Sequence, residues 1–187
     1  MHESNDGVHH HKGKSSEGRI DKARVLNALR IRPGMTILDA GCGDGYMARA
    51  FALLTGETGT VYALDADHEA IDALRASAAC EAIEAFVGDI AAKTRLEAGS
   101  LDLLYLSNVA HGFSEAQMQG FAAEADRLLK PGGVLAIMEF RKRETPYGPP
   151  LSIRLSPDNL AQKIPLIPGV TVDVSEDSYM QLFEKRR

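Results

Sequence analysis

Apolar and polar positions follow two different periods along this chain, and the periods take turns. Short apolar runs fall at Thr36-Ile37-Leu38-Asp39, Thr60–Asp65, Ile83–Val87, Leu101–Leu106 and Val134–Phe140. Each is bounded by glycine, proline or acidic residues and reads as a buried strand. Between them the spacing becomes helical: Ile20, Ala23, Leu26 and Leu29; Met47, Ala50, Phe51 and Leu54; Ile71, Leu74 and Ala78; Met118, Phe121, Ala122, Ala125, Leu128 and Leu129. Asp67 predicts an N-cap, and Ser114 with Gln117 a capping box. Gly56 and Lys130-Pro131-Gly132-Gly133 read as helix stops. Strand alternating with helix in this way predicts right-handed crossovers and a parallel sheet covered on both faces.

The rhythm changes after Phe140. Arg141 to Pro150 is charged and proline-rich and reads as a loop, and Ser156-Pro157 as the start of a short helix. Val170–Val174 and Tyr179–Glu184 then predict two strands of a hairpin, joined by Ser175-Glu176-Asp177-Ser178. The sequence class is therefore α/β, with an antiparallel end.

Composition narrows the classes. The chain has 187 residues, 44% hydrophobic and 25% charged, ordinary values for a single globular domain. A net charge of −5 gives no support to a nucleic-acid partner, since such domains are usually basic. Cys42 and Cys80 supply neither a disulfide framework nor metal-ligand spacing, and no metal site is expected. No apolar run is long enough to span a bilayer, and Met1-His2-Glu3-Ser4 lacks signal-peptide character, so the expected location is cytoplasmic. Residues 1–18 form a polar tail expected to be disordered, in which His9-His10-His11 binds metal only adventitiously. The folded domain is expected to run from Arg19 to Arg187.

Candidate chemistry concentrates in Leu38-Asp39-Ala40-Gly41-Cys42-Gly43-Asp44-Gly45-Tyr46. A strand ends on an acid, a glycine-rich turn lets backbone approach a ligand, and a helix begins with N–H groups suited to a polar or anionic ligand. A dinucleotide fingerprint would need its third glycine at the position of Tyr46; here it falls one place early, at Gly45.

This D-x-G-x-G-x-G pattern resembles motif I of the class I S-adenosylmethionine (SAM) dependent methyltransferases. The resemblance covers roughly residues 19–187. It implies a Rossmann-like fold with a mostly parallel seven-stranded sheet, helices on both faces and a C-terminal antiparallel hairpin. It also implies SAM as cofactor, S-adenosylhomocysteine as product, and in-line methyl transfer to a small-molecule acceptor. The glycine strings and Leu128-Leu129-Lys130-Pro131-Gly132-Gly133 resemble the ubiquinone/menaquinone-biosynthesis C-methyltransferases. They equally resemble small stand-alone methyltransferases, a set whose loops are similar to Glu144–Pro150. The related arsenite methyltransferases need more cysteines than this chain has.

Carried over by position, Asp39, Gly41, Cys42 and Gly43 would hold the methionine part of SAM, Cys42 as a small buried residue of the loop and not as a nucleophile. Asp65, at the end of the second strand, would accept bonds from the ribose diol, with Ala66 beside adenine. Asp89 and Ile90 would meet adenine, and Ser107 and Asn108 the methionine end and the methyl group. If the acceptor must lose a proton, His111 is the candidate base; Tyr46, Glu139, Arg141 and Tyr147 are further candidates to face the acceptor. The chain is short for the family, which predicts an open acceptor cleft covered by the Arg141–Gly169 segment or by a second subunit of a homodimer. Two other readings compete: a non-catalytic SAM-binding regulator, and a nicotinamide-dependent oxidoreductase on a related sheet.

Overall fold

A computed structural model of the chain describes residues 20–77 and 82–187. The His-rich tail, Arg19, Ala78 and Cys80 lie outside the described residues. Among the described residues the elements run α1 (Lys22–Leu29), β1 (Thr36–Ala40), α2 (Tyr46–Thr55), β2 (Thr60–Asp65), α3 (His68–Ala76), β3 (Ile83–Val87) and β4 (Leu101–Ser107). They continue with α4 (Glu115–Leu128), β5 (Leu129–Phe140), α5 (Pro157–Lys163), β6 (Ile167–Asp173) and β7 (Ser178–Glu184).

The seven strands form one sheet in the order β3-β2-β1-β4-β5-β7-β6. The first five strands run parallel, and β7 pairs antiparallel with both β5 and β6. Strand order reverses between β1 and β4, so their carboxyl ends open a crevice there, where ligands of such sheets sit.

Alternate strand residues feed two cores. Ile37, Val61, Leu103, Tyr105 and Met138 pack under α1, α2 and α3 with Val25, Phe51 and Leu74. Leu38, Leu64, Leu104 and Ile137 pack under α4 and α5 with Phe121, Leu128 and Leu160. Both faces being covered explains why β1 and β4 read as nearly continuous apolar runs.

The predicted caps form. Asp67 accepts from Glu69 N–H, Ser114 and Gln117 make a reciprocal capping box, and Ser156 does the same with Asn159 beside Pro157. Asp21 caps α1, accepting from Arg24 N–H.

Two boundaries depart from the sequence reading. Leu129 leaves α4 and opens β5, because it pairs with Leu101 across the sheet before the register shifts. Lys130–Gly133, read as a stop, thus becomes an irregular start of a strand. At the sheet edge β6 begins at Ile167 rather than Val170, pairing with β7 on both sides of an irregularity between Pro168 and Thr171; proline is tolerated on an edge strand.

Candidate functional site

The glycine loop lies at the crevice, and its conformation is built from β2. Gly41 N–H and Cys42 N–H both donate to Leu64 O, at 2.7 and 3.1 Å. Gly43 N–H donates to Asp65 Oδ2 at 2.8 Å, while Asp65 Oδ1 accepts from Asp67 N–H at 2.9 Å. Asp65 therefore braces the loop. Each carboxylate oxygen retains capacity for a second donor.

The motif glycines differ in purpose. Gly45 takes φ +77°, and a Cβ on it would lie 2.4 Å from Leu74 Cδ1, so it allows α2 to pack against α3. Gly43 takes φ +52°, but a Cβ there would meet nothing within 4 Å. Its missing side chain faces open space.

The loop is electrically negative. Asp39 is buried where β1 ends, and its carboxylate accepts from Ala48 N–H in the first turn of α2. Burial pushes its pKa up to about 7, and the neighbouring carboxylates Asp65 and Asp44 push the same way. Asp44 Oδ1 accepts from Tyr46 N–H at 3.0 Å. Two N–H groups in the first turn of α2, those of Tyr46 and Ala48, are thus already occupied by protein carboxylates. Carboxylates at this point disfavour an anion there. Burial and Asp39 likewise raise the pKa of the Cys42 thiol, which stays protonated and buried, as a structural residue would.

Beyond the loop, Asn108 sits just past β4 in a left-handed backbone conformation, φ +56°. Its amide nitrogen donates to Ser107 Oγ at 3.3 Å, while its Oδ1 is buried with no hydrogen-bond partner. A buried acceptor without a donor is costly, and a ligand N–H would relieve it. Tyr105 lies between these groups, fully buried, its pKa raised by burial and by Asp39. Asp89 Oδ1 accepts from Ala91 N–H at 2.8 Å, which closes a turn at the surface after β3. Ile90 is 3% exposed and packs in the core with Leu64 and Phe86. Ala66 is exposed at the end of β2.

On the α4 side, the short turn Ala110–Gly112 brings His111 under the carboxyl end of β5. Its Nδ1 lies 2.7 Å from Glu139 Oε2, and its backbone N–H donates to Glu139 Oε1 at 3.2 Å. The two side chains are 3% and 1% exposed. Glu139 Oε2 is thus placed to accept a proton carried on Nδ1. Of the other acceptor-side candidates, Arg141 pairs with Asp173, and the Tyr147 hydroxyl donates to Asp177 Oδ2 at 2.8 Å. Lys22 stands 4.8 Å over the Tyr46 ring. The pairing of His111 with Glu139 was not legible beforehand; a glutamate closing an otherwise apolar strand was its one signal.

No group of three or more His, Cys, Asp or Glu with metal-binding geometry occurs among the described residues. Nor is any described helix long and apolar enough to cross a membrane.

Residues 37–133 match the family model described as a methyltransferase domain. An uncharacterized methyltransferase of Synechocystis sp. is 31% identical over 129 residues, 68% of this chain and 58% of that protein. The ubiquinone/menaquinone biosynthesis C-methyltransferase of Laribacter hongkongensis is 31% identical over 172 residues, 90% of this chain and 66% of that enzyme. The chain thus spans less than two thirds of the length of these relatives. In fold it is similar to the crystal structure of a SAM-dependent methyltransferase from Aquifex aeolicus. The TM-score is 0.82 at 24% identity, covering 92% of this chain and 94% of that one.

Proposed function

Since the chain belongs to the class I SAM-dependent methyltransferases, we propose that it transfers a methyl group to a small-molecule acceptor by in-line displacement. The carboxylate-lined glycine loop carries this reading. Asp65 braces Gly43; Asp39 and Asp44 lie near enough for their charges to act on one another, and SAM is a cation at its sulfonium and at its α-ammonium. The pyrophosphate of a nicotinamide dinucleotide would meet like charge there, which counts against the oxidoreductase reading.

Bound SAM supplies an electrophilic methyl group on a positively charged sulfur. The residues of the chain then have three tasks. Asp65 accepts from the ribose hydroxyls while it holds Gly43 in place, and the surface turn at Asp89 borders the adenine. The orphan Oδ1 of Asn108 accepts a donor from the methionine end, beside Ser107. His111 takes the acceptor's proton at Nε2, and Glu139 stabilises the imidazolium that results. A base is useful only when the acceptor carries an ionisable proton, so the reading favours a hydroxyl, thiol or acidic carbon acceptor. The remainder of the rate comes from alignment of the acceptor with the methyl group.

Isothermal titration with SAM, S-adenosylhomocysteine and NADH tests the cofactor. Binding of both adenosyl ligands without NADH supports the assignment; a preference for NADH overturns it. Formation of S-adenosylhomocysteine across a panel of phenols, thiols and amines then tests the acceptor class. Turnover of a phenol or thiol by a His111→Gln variant at the wild-type rate would remove the base from the mechanism.

A further inference from the structure

Arg154 is a guanidinium buried without a carboxylate among its hydrogen-bond partners. It is 3% exposed. Its Nε donates to Pro149 O at 2.8 Å, and its Nη1 to Arg141 O and Arg143 O at 3.1 and 2.7 Å. Its Nη2 donates to Thr145 Oγ1 and Tyr147 O at 2.7 and 3.1 Å. Every second residue from 141 to 149 thus turns an oxygen inward, and the five oxygens match the five N–H donors of a guanidinium. A charge taken out of water needs all of these partners. The segment therefore has one low-energy path, wrapped around Arg154.

The wrapped segment is anchored at the level of Glu139. Phe140 follows Glu139 directly, and the guanidinium carbon of Arg154 lies 5.3 Å from the Phe140 ring centre. Leu155, the next residue after Arg154, accepts from the Tyr179 hydroxyl at 2.7 Å. Tyr179 is itself the cross-strand partner of Glu139. Further out, Arg143 and Tyr147 both bond Asp177 in the turn between β6 and β7. Both ends of the excursion are thus fastened beside the carboxylate that grips His111.

We propose that Arg154 is a positioning residue, which holds residues 141–153 as a preformed wall of the acceptor side and keeps Glu139 seated against His111. The inference rests on His111 as the proton-accepting group. Arg154 acts through Glu139 and touches neither cofactor nor acceptor. Lysine cannot replace it, since an ammonium has three donors in a different geometry.

The test uses the full chain and needs no acceptor. Long-range proton–nitrogen NMR reads the His111 ring tautomer, with the signal assigned by its loss in His111→Gln. Hydrogen exchange reads the amides of residues 141–153, and titration reads SAM affinity. In wild type the ring shows a protonated Nδ1. In Arg154→Ala the signal moves toward a tautomer average and the segment exchanges at least about tenfold faster. SAM affinity stays within about twofold. Guanidinium ion at tens of millimolar restores both signals; Arg154→Lys, which keeps the charge, does not. An unchanged His111 signal in a folded Arg154→Ala or Arg154→Lys variant overturns the proposal. A wild-type ring protonated at Nε2 instead would refute the reading of His111, even if the segment still loosened in Arg154→Ala.

Discussion

Glu139 holds His111 at two points, through Nδ1 at 2.7 Å and through the backbone N–H at 3.2 Å, with both side chains buried. Removing the carboxylate therefore frees two buried donors at once. Glu139→Ala should cost about 2–4 kcal/mol of stability, as unpaired buried polar groups do. Glu139→Gln keeps the shape and should fold. Its turnover should fall by roughly 10²- to 10⁴-fold, the usual worth of a positioned proton acceptor, while SAM affinity holds. Steady-state kinetics with a SAM titration separate the two effects.

Asp65 combines ligand binding with loop support. Asp65→Ala should weaken SAM binding about ten- to a hundredfold, from the loss of ribose hydrogen bonds. It should also lower stability by roughly 1–3 kcal/mol, because Gly43 N–H and Asp67 N–H lose their acceptor. Calorimetry on the free and SAM-bound protein reads both. Unchanged affinity would mean that Asp65 does not hold the ribose.

The glycines separate packing from binding. Gly45→Ala drives a methyl group into Leu74 at positive φ, so unfolding in urea should show a loss of about 2–4 kcal/mol. Gly43→Ala adds a methyl group to open space and should cost only about 1 kcal/mol of left-handed backbone strain. Its SAM affinity should nonetheless fall, because that space is filled.

Asp39 makes the stability of the free protein depend on pH. Its folded pKa of about 7 lies above its ordinary value of 3.8, so between these limits the folded state binds more proton than the unfolded state. Stability therefore declines as pH rises through this window, by at most roughly 4 kcal/mol across it. Asp39→Asn removes the titration. Thermal unfolding from pH 4 to pH 8 should show the variant gaining on wild type as pH increases. A constant difference would show that Asp39 does not titrate there.

Much of this molecule was legible in order along the chain. The strand runs, the caps at Asp67, Ser114 and Ser156, and the acids at the ends of β1 and β2 all depend on neighbours a few residues away. The start of β5 was not, because Lys130-Pro131-Gly132-Gly133 has the composition of a stop. Its pairing with β4 is formed with residues nearly thirty positions earlier. The start of β6 was hidden in the same way by Pro168-Gly169, which an edge strand accommodates.

The site divides along the same line. The sequence by itself determined the glycine loop, its flanking acids and the family to which the chain belongs, since spacing within one turn encodes them. The tertiary structure decided what those groups are worth. Folding puts Asp39 and Asp44 on N–H groups in the first turn of α2. It joins His111 to Glu139 and winds residues 141–149 around Arg154. Burial, charge and hydrogen-bond partnership are set by elements that meet in space, and the periodicity of one segment carries no record of what another segment brings to it.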